Sequence, residues 1–160
     1  MSEIKFRRAQ RCDSALILEF IKGLAEYEKM SDDVTATPEK LEEWIFDKGK
    51  ANVIFVLDEK GKEAGFALYF YNFSTFLGKV GIYLEDLFVL KEQRGKGYGK
   101  ALILELARIA VEEGCGRLEW SCLDWNTPSI DFYKSLGACP MQEWTVYRLT
   151  EPDMRRLIGR

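Results

Sequence analysis

The chain has 160 residues, a net charge of −3, four cysteines and no histidine. The absence of histidine excludes Ser-His-Asp and Cys-His hydrolases and His-ligated metalloenzymes. The acidic balance, with no broad basic face, argues against a nucleic-acid backbone as the main partner. The length predicts one domain over residues 1–160 with a proper core. Cys12, Cys115, Cys122 and Cys139 lack CxxC spacing and are expected to be reduced and mostly packed, with no metal bound. The start, Met1-Ser2-Glu3-Ile4-Lys5, has no apolar signal region and no run approaches membrane-spanning length, so a cytoplasmic protein without a membrane partner is expected.

From the N-terminus, Glu3 to Ala9 predicts a strand. Asp13 then caps a helix from Ser14 to about Lys29, with Leu16, Phe20, Leu24 and either Ala25 or Tyr27 turned inward. The acids that follow, Glu26, Glu28, Asp32 and Asp33, are either a solvated helix end or part of a rim that attracts cations. Thr37-Pro38 supplies an N-cap and a first-turn proline for a second helix reaching about Phe46. Ala51 to Asp58, Glu63 to Phe73 and Val80 to Leu90 read as three antiparallel strands, joined through Glu59-Lys60-Gly61-Lys62 and Leu77-Gly78-Lys79. A helix from Gly99 to Glu113 stops at Gly114, and Arg117 to Leu123 is a further strand. Asn126-Thr127-Pro128 opens a helix ending at Gly137, Met141 to Leu149 predicts a last strand, and Thr150-Glu151-Pro152-Asp153 begins a short terminal helix. A meander followed by crossover units predicts an α/β class, with a central mixed, twisted sheet flanked by helices.

The turn between the long strand and the next helix holds the most informative spacing. Gly95, Gly97 and Gly99 alternate there, flanked by Lys91, Arg94, Lys96 and Lys100. Absent Cβ atoms let backbone N–H groups converge on an anion at a helix N-terminus, and the local positive charge fits a ligand with more than one phosphate. A nucleotide P-loop needs Ser or Thr after Gly-Lys, but Gly97 and Ala101 stand at those places. A dinucleotide fingerprint needs glycine where Lys100 stands. The plain alternative is a turn that packs a helix close to a sheet.

Within the long strand, Glu85 and Asp86 stand side by side in apolar sequence. Alternation sends neighbours to opposite faces, so at least one of the two carboxylates is expected to be buried and to need a cationic partner. That partner is either a ligand or a lysine or arginine of the protein. Further on, Asn126 and Tyr133 lie seven residues apart, two helical turns, and share one helix face. Tyr133 is either at a cleft or an ordinary core aromatic.

Arg94 to Gly99, preceded by Glu85-Asp86 and followed by Asn126, Pro128-Ser129, Phe132-Tyr133-Lys134 and Gly137-Ala138, resembles the GNAT superfamily of N-acetyltransferases. Within it the chain is similar to the spermidine/spermine N1-acetyltransferase and thialysine N-epsilon-acetyltransferase branch. Leu24-Ala25-Glu26-Tyr27-Glu28 extends the likeness toward the N-terminus. The resemblance implies a GNAT-like acyl-CoA N-acyltransferase fold, acetyl-CoA as donor and no metal. It further implies that Leu87, Phe88 and Val89 hold the pantetheine arm through their backbone, and that Arg94, Gly95, Lys96, Gly97, Tyr98, Gly99 and Lys100 hold the pyrophosphate. Asn126, Ser129 and Tyr133 would contact the same cofactor. Glu85, Asp86, Glu28, Tyr27 and Phe76 would meet a small cationic amine, and the chain would form a homodimer.

The implied chemistry is demanding. An alkylammonium of pKa about 10.4 is neutral in roughly one molecule in 2,500 at pH 7, an entry cost of about 4.6 kcal/mol. Glu85 would attract the cation and accept its proton, directly or through water, while the Leu87 amide stabilises the oxyanion. Tyr133, as general acid to the leaving thiolate, is the weaker acid by roughly 1.5 units, about 2 kcal/mol, and needs tuning. Ser74 and Phe76 stand where the polyamine enzymes carry aspartate and tryptophan, and Glu143-Trp144 lacks the intervening glycine. These departures favour a diamine or lysine-like acceptor over spermine. Peptide acetylation and a catalytically silent acetyl-CoA sensor are the alternatives.

Overall fold

The computed structural model describes residues 3–160; Met1 and Ser2, on which the absence of an N-terminal signal was partly read, lie outside them. The chain forms two compact units, Met1–Ser121 and Cys122–Arg160.

The first unit is a five-stranded sheet in the order β1-β2-β3-β4-β5. Its strands are β1 (Lys5–Arg8), β2 (Asn52–Leu57), β3 (Glu63–Ser74), β4 (Lys79–Val89) and β5 (Leu118–Trp120). The first three pairings are antiparallel and β4 pairs β5 in parallel, which makes the sheet mixed as expected. The helices are α1 (Ser14–Tyr27), the short α2 (Pro38–Leu41) and α3 (Tyr98–Glu112).

All four central residues of β2, Val53 to Val56, are buried, so both faces of the sheet are covered. On one face Phe20 of α1 meets Phe55, Phe66 and Phe88, with ring centroids 5.8, 5.4 and 6.4 Å apart. Gly23 permits this approach: a Cβ there would lie 2.7 Å from the Phe88 ring. On the opposite face α3 buries Leu102, Ile103, Leu106, Ile109 and Ala110. The second predicted helix is α-helical only to Leu41, then widens into a π-helical segment, Glu42–Asp47, that turns Ile45 inward.

The second unit holds α4 (Thr127–Ser135) and α5 (Glu151–Leu157). Both starts follow local chemistry legible in the sequence: the Asn126 side chain accepts from the Ser129 N–H, and Thr150 and Asp153 form a capping box. Within the second unit, Met141 to Leu149, expected as a strand, form neither a helix nor a ladder among themselves. Alternation marks residues able to join a ladder, but a strand exists only where an edge accepts it.

Candidate active site

The Glu85-Asp86 step of β4 departs from regular pairing. Leu68 stands opposite Asp86 while the next residue, Tyr69, stands opposite Leu84, so Glu85 is an extra residue without a partner on β3. This is a β-bulge, and it breaks the alternation on which the opposite-faces expectation rested. Glu85 is exposed and Asp86 half-buried, rather than one being fully buried. The parallel ladder with β5 ends one residue earlier, at Leu84 and Trp120. From Asp86 to Val89, β4 therefore keeps its β3 neighbour but lies beyond the described ladder with β5.

Carboxylates gather at this break. Burial pushes the Asp86 carboxyl up to about 6, and the charges of Glu85 and then Glu28 push in the same direction. Glu28, at the end of α1, is itself raised by burial. Among the described residues none of the three forms an ion pair, so the lysine or arginine partner considered from the sequence is not found.

Beyond Val89 the chain makes a 3-10 turn, Lys91–Gln93, and enters α3 through the glycines. Gly95 and Gly97 have φ of 77° and 87°, and a Cβ on either would point into open space. Their conformation, not crowding, is what demands glycine. No side chain caps α3 and no acid occupies its first turn, which leaves the Tyr98, Gly99 and Lys100 amides without intrahelical acceptors. Lys96 donates to the Gln93 side chain at 2.9 Å. Arg94 donates from Nε to the Val89 carbonyl at 3.1 Å, with its guanidinium 5.1 Å from the centre of the Tyr27 ring and 5.4 Å from that of Phe88. The arginine thus ties the turn to Tyr27, the last residue of α1. Sequence reasoning missed this tie, which no local pattern encodes.

Not every expected residue joins the group. Phe76 sits fully exposed at the tip of the β3–β4 hairpin. Six residue steps along β4 take the chain from Lys79 to Glu85, on the order of 20 Å of strand, so one copy of the chain does not bring Phe76 to the carboxylates. In the second unit Asn126 is buried as the N-cap, Ser129 supplies the capped amide, and Tyr133 is half-buried beside Phe132, with ring centroids 5.5 Å apart.

The acetyltransferase (GNAT) family model matches residues 18–138. The chain belongs to the GNAT acetyltransferase family. It is 36% identical to the thialysine N-epsilon-acetyltransferase of Bos taurus across 100% of both chains. It is 47% identical to the L-ornithine N5-acetyltransferase of Arabidopsis thaliana over 54% of this chain and 38% of that one. Among solved structures, an integron cassette protein from the mobile metagenome of V. cholerae superposes with a TM-score of 0.81 at 28% identity, covering 100% of each chain. Like the GNAT family generally, the chain is an N-acetyltransferase that takes its acetyl group from acetyl-CoA. No described helix is long and apolar enough to cross a membrane, and no group of described residues is arranged to hold a metal ion.

Proposed function

We propose that this enzyme acetylates a primary amine of a small cationic acceptor, a diamine or a lysine-like amine such as thialysine, by direct attack of the amine on the thioester. The observation that carries the proposal is the set Glu28, Glu85 and Asp86, three carboxylates drawn together without a cation among the described residues. A protonated alkylamine is the partner that lowers the cost of their mutual repulsion. Thialysine and L-ornithine, for which two relatives are named, are both short diamino acids with a terminal amine, which supports an acceptor of this size.

Acetyl-CoA, when bound, supplies an activated acetyl group, and the chain's own residues fit its diphosphate. Gly95 and Gly97 leave open space in front of the uncapped start of α3, and Arg94, Lys96 and Lys100 add positive charge. The backbone of Leu87, Phe88 and Val89, past the end of the β5 ladder, is free to line an amide-bearing arm. Asn126 and Ser129 belong to the cofactor side on the strength of the resemblance.

In this scheme Asp86 and Glu28 hold the ammonium while exposed Glu85 takes its proton, directly or through a water, as the nitrogen attacks. The Leu87 N–H donates to the thioester oxygen, and Tyr133 gives a proton to the departing sulfur. Replacing Tyr133 by Phe is expected to lower kcat far more than it raises KM for acetyl-CoA; near-wild-type turnover would remove that role. A homodimer in the cytoplasm, where the four free cysteines remain reduced, completes the proposal.

The experiment is acetyl-CoA turnover across putrescine, spermidine, spermine, thialysine, lysine, ornithine and peptide amines. Preferential release of CoA with the diamines or lysine-like amines is expected. Turnover of peptides alone would make the chain a protein acetyltransferase, and turnover of nothing would make it a sensor of acetyl-CoA.

A further inference from the structure

The last turn of α1 is closed by a residue ill suited to its place. The Lys29 N–H donates to the Glu26 carbonyl at 3.1 Å and the Met30 N–H to the Ala25 carbonyl at 2.8 Å, the pair of bonds that ends a helix on a left-handed residue. Glycine usually stands there. Here it is Lys29, at φ 61°, the one left-handed residue other than glycine among the described residues. A Cβ in that conformation crowds a backbone carbonyl, so the turn that carries Tyr27 and Glu28 is held at a cost and opens more readily than the helix before it.

Outside support for that turn comes from the glycine loop. Phe88 of β4 packs against Gly23, where a Cβ would lie 2.7 Å from the ring. The Arg94 guanidinium lies over both Phe88 and Tyr27, 5.4 and 5.1 Å from the ring centres. Its Nε is anchored to the Val89 carbonyl at 3.1 Å, and among the described residues Arg94 forms no ion pair. A guanidinium uses its faces for aromatic rings and its edge for phosphate oxygens, so the two contacts do not compete. The same stacking changes the part Tyr27 can play. The resemblance sets it against the amine, yet a ring that already holds a guanidinium is a poor seat for a second cation.

We propose that Tyr27 is a positioning residue through which coenzyme A, bound at the glycine turn, fixes the last turn of α1 and with it Glu28 for the amine. The proposal rests on the reading given above, with the diphosphate at the turn and the amine at the carboxylates. A phosphate on the edge of Arg94 orders an exposed side chain and displaces water from it, which tightens its packing on Tyr27. Glu28 follows Tyr27 directly, and its charge is felt at Asp86. Ordering already present when the amine arrives is not supplied a second time, so each ligand strengthens the binding of the other.

Hydrogen exchange of the full chain, with and without saturating coenzyme A and with no amine present, tests this. Coenzyme A is expected to slow exchange of the Glu28, Lys29 and Met30 amides at least about fivefold, the low end of coupling between two sites. Tyr27 is exposed, so its replacement leaves the core intact. Tyr27→Leu removes the ring and is expected to abolish the slowing; Tyr27→Phe keeps the ring and is expected to preserve it. With the best amine of the panel, Tyr27→Leu should raise KM about fivefold, and Tyr27→Phe should leave it unchanged. The Tyr98, Gly99 and Lys100 amides report the seating of the diphosphate separately: without slowing there, that placement fails and the proposal with it. Slowing at the loop but not at residues 28–30, slowing that survives in Tyr27→Leu, its loss in Tyr27→Phe, or an amine KM unmoved in Tyr27→Leu overturns the proposal alone. Should no amine turn over, the acceptor reading fails and exchange decides the coupling by itself.

Discussion

Two groups of carboxylates in the first unit are built alike and end differently. Asp13 and Glu63, from a 3-10 turn and from β3, converge on Arg7 of β1, whose guanidinium donates to Asp13 at 2.8 and 2.9 Å and to Glu63 at 2.6 and 3.0 Å. Glu28, Glu85 and Asp86, from the end of α1 and from β4, converge without an arginine among the described residues. Arg7 holds both of its carboxyls below the usual range, while burial and like charge push Asp86 the other way, to about 6. A carboxylate with its partner built in is architecture. Under the proposed function, one left short of a cation has a ligand to receive.

The sharpest way to break this contrast is to neutralise each group in turn. Glu85→Gln is expected to lower kcat at least about 100-fold, the lower range for loss of a general base, with little change in thermal unfolding. Steady-state kinetics with the best amine checks it. Arg7→Ala should do the reverse: about 2 kcal/mol of stability lost, measured by denaturant unfolding, and kcat/KM unchanged once the protein is folded. Asp86→Asn comes third, raising acceptor KM about tenfold, some 1.4 kcal/mol, with a smaller effect on kcat.

The two groups also predict opposite pH dependences of stability. Asp13 titrates below its usual 3.8 when folded, so its contribution is present above that value and is lost as pH falls further. Asp86 titrates higher when folded than when unfolded, so it costs stability as pH rises from 3.8 through about 6. Asp86→Asn should therefore stabilise the free enzyme at neutral pH by about 1–2 kcal/mol, after allowance for solvent screening of a partly exposed group, and the gain should vanish below about pH 4. Urea titrations at several pH values read both signs.

What the sequence disclosed divides along the range of the interactions involved. The caps at Asn126 and Thr150 and the glycine turn at 95 to 99 are set by neighbours a few residues away and were legible, although the left-handed backbone that demands glycine at 95 and 97 was not read. The carboxylates at 85 and 86 were legible as chemistry but not as geometry. The bulge that presents them arises from the register of β4 against β3, a pairing no local pattern encodes. The stacking of Arg94 over Tyr27 crosses 67 positions and was likewise invisible. Residues 141–149 teach the same lesson: their pattern says that they can pair, and only a partner edge decides whether they do.

The claim that an amine cation completes the Glu28, Glu85 and Asp86 group is tested most directly by following the Asp86 carboxyl through a pH titration by carbon NMR, with and without a saturating diamine or lysine-like acceptor. The account predicts a midpoint near 6 in the free enzyme that falls by at least about one unit when the amine binds. A midpoint that stays in place while that same amine is acetylated would contradict it.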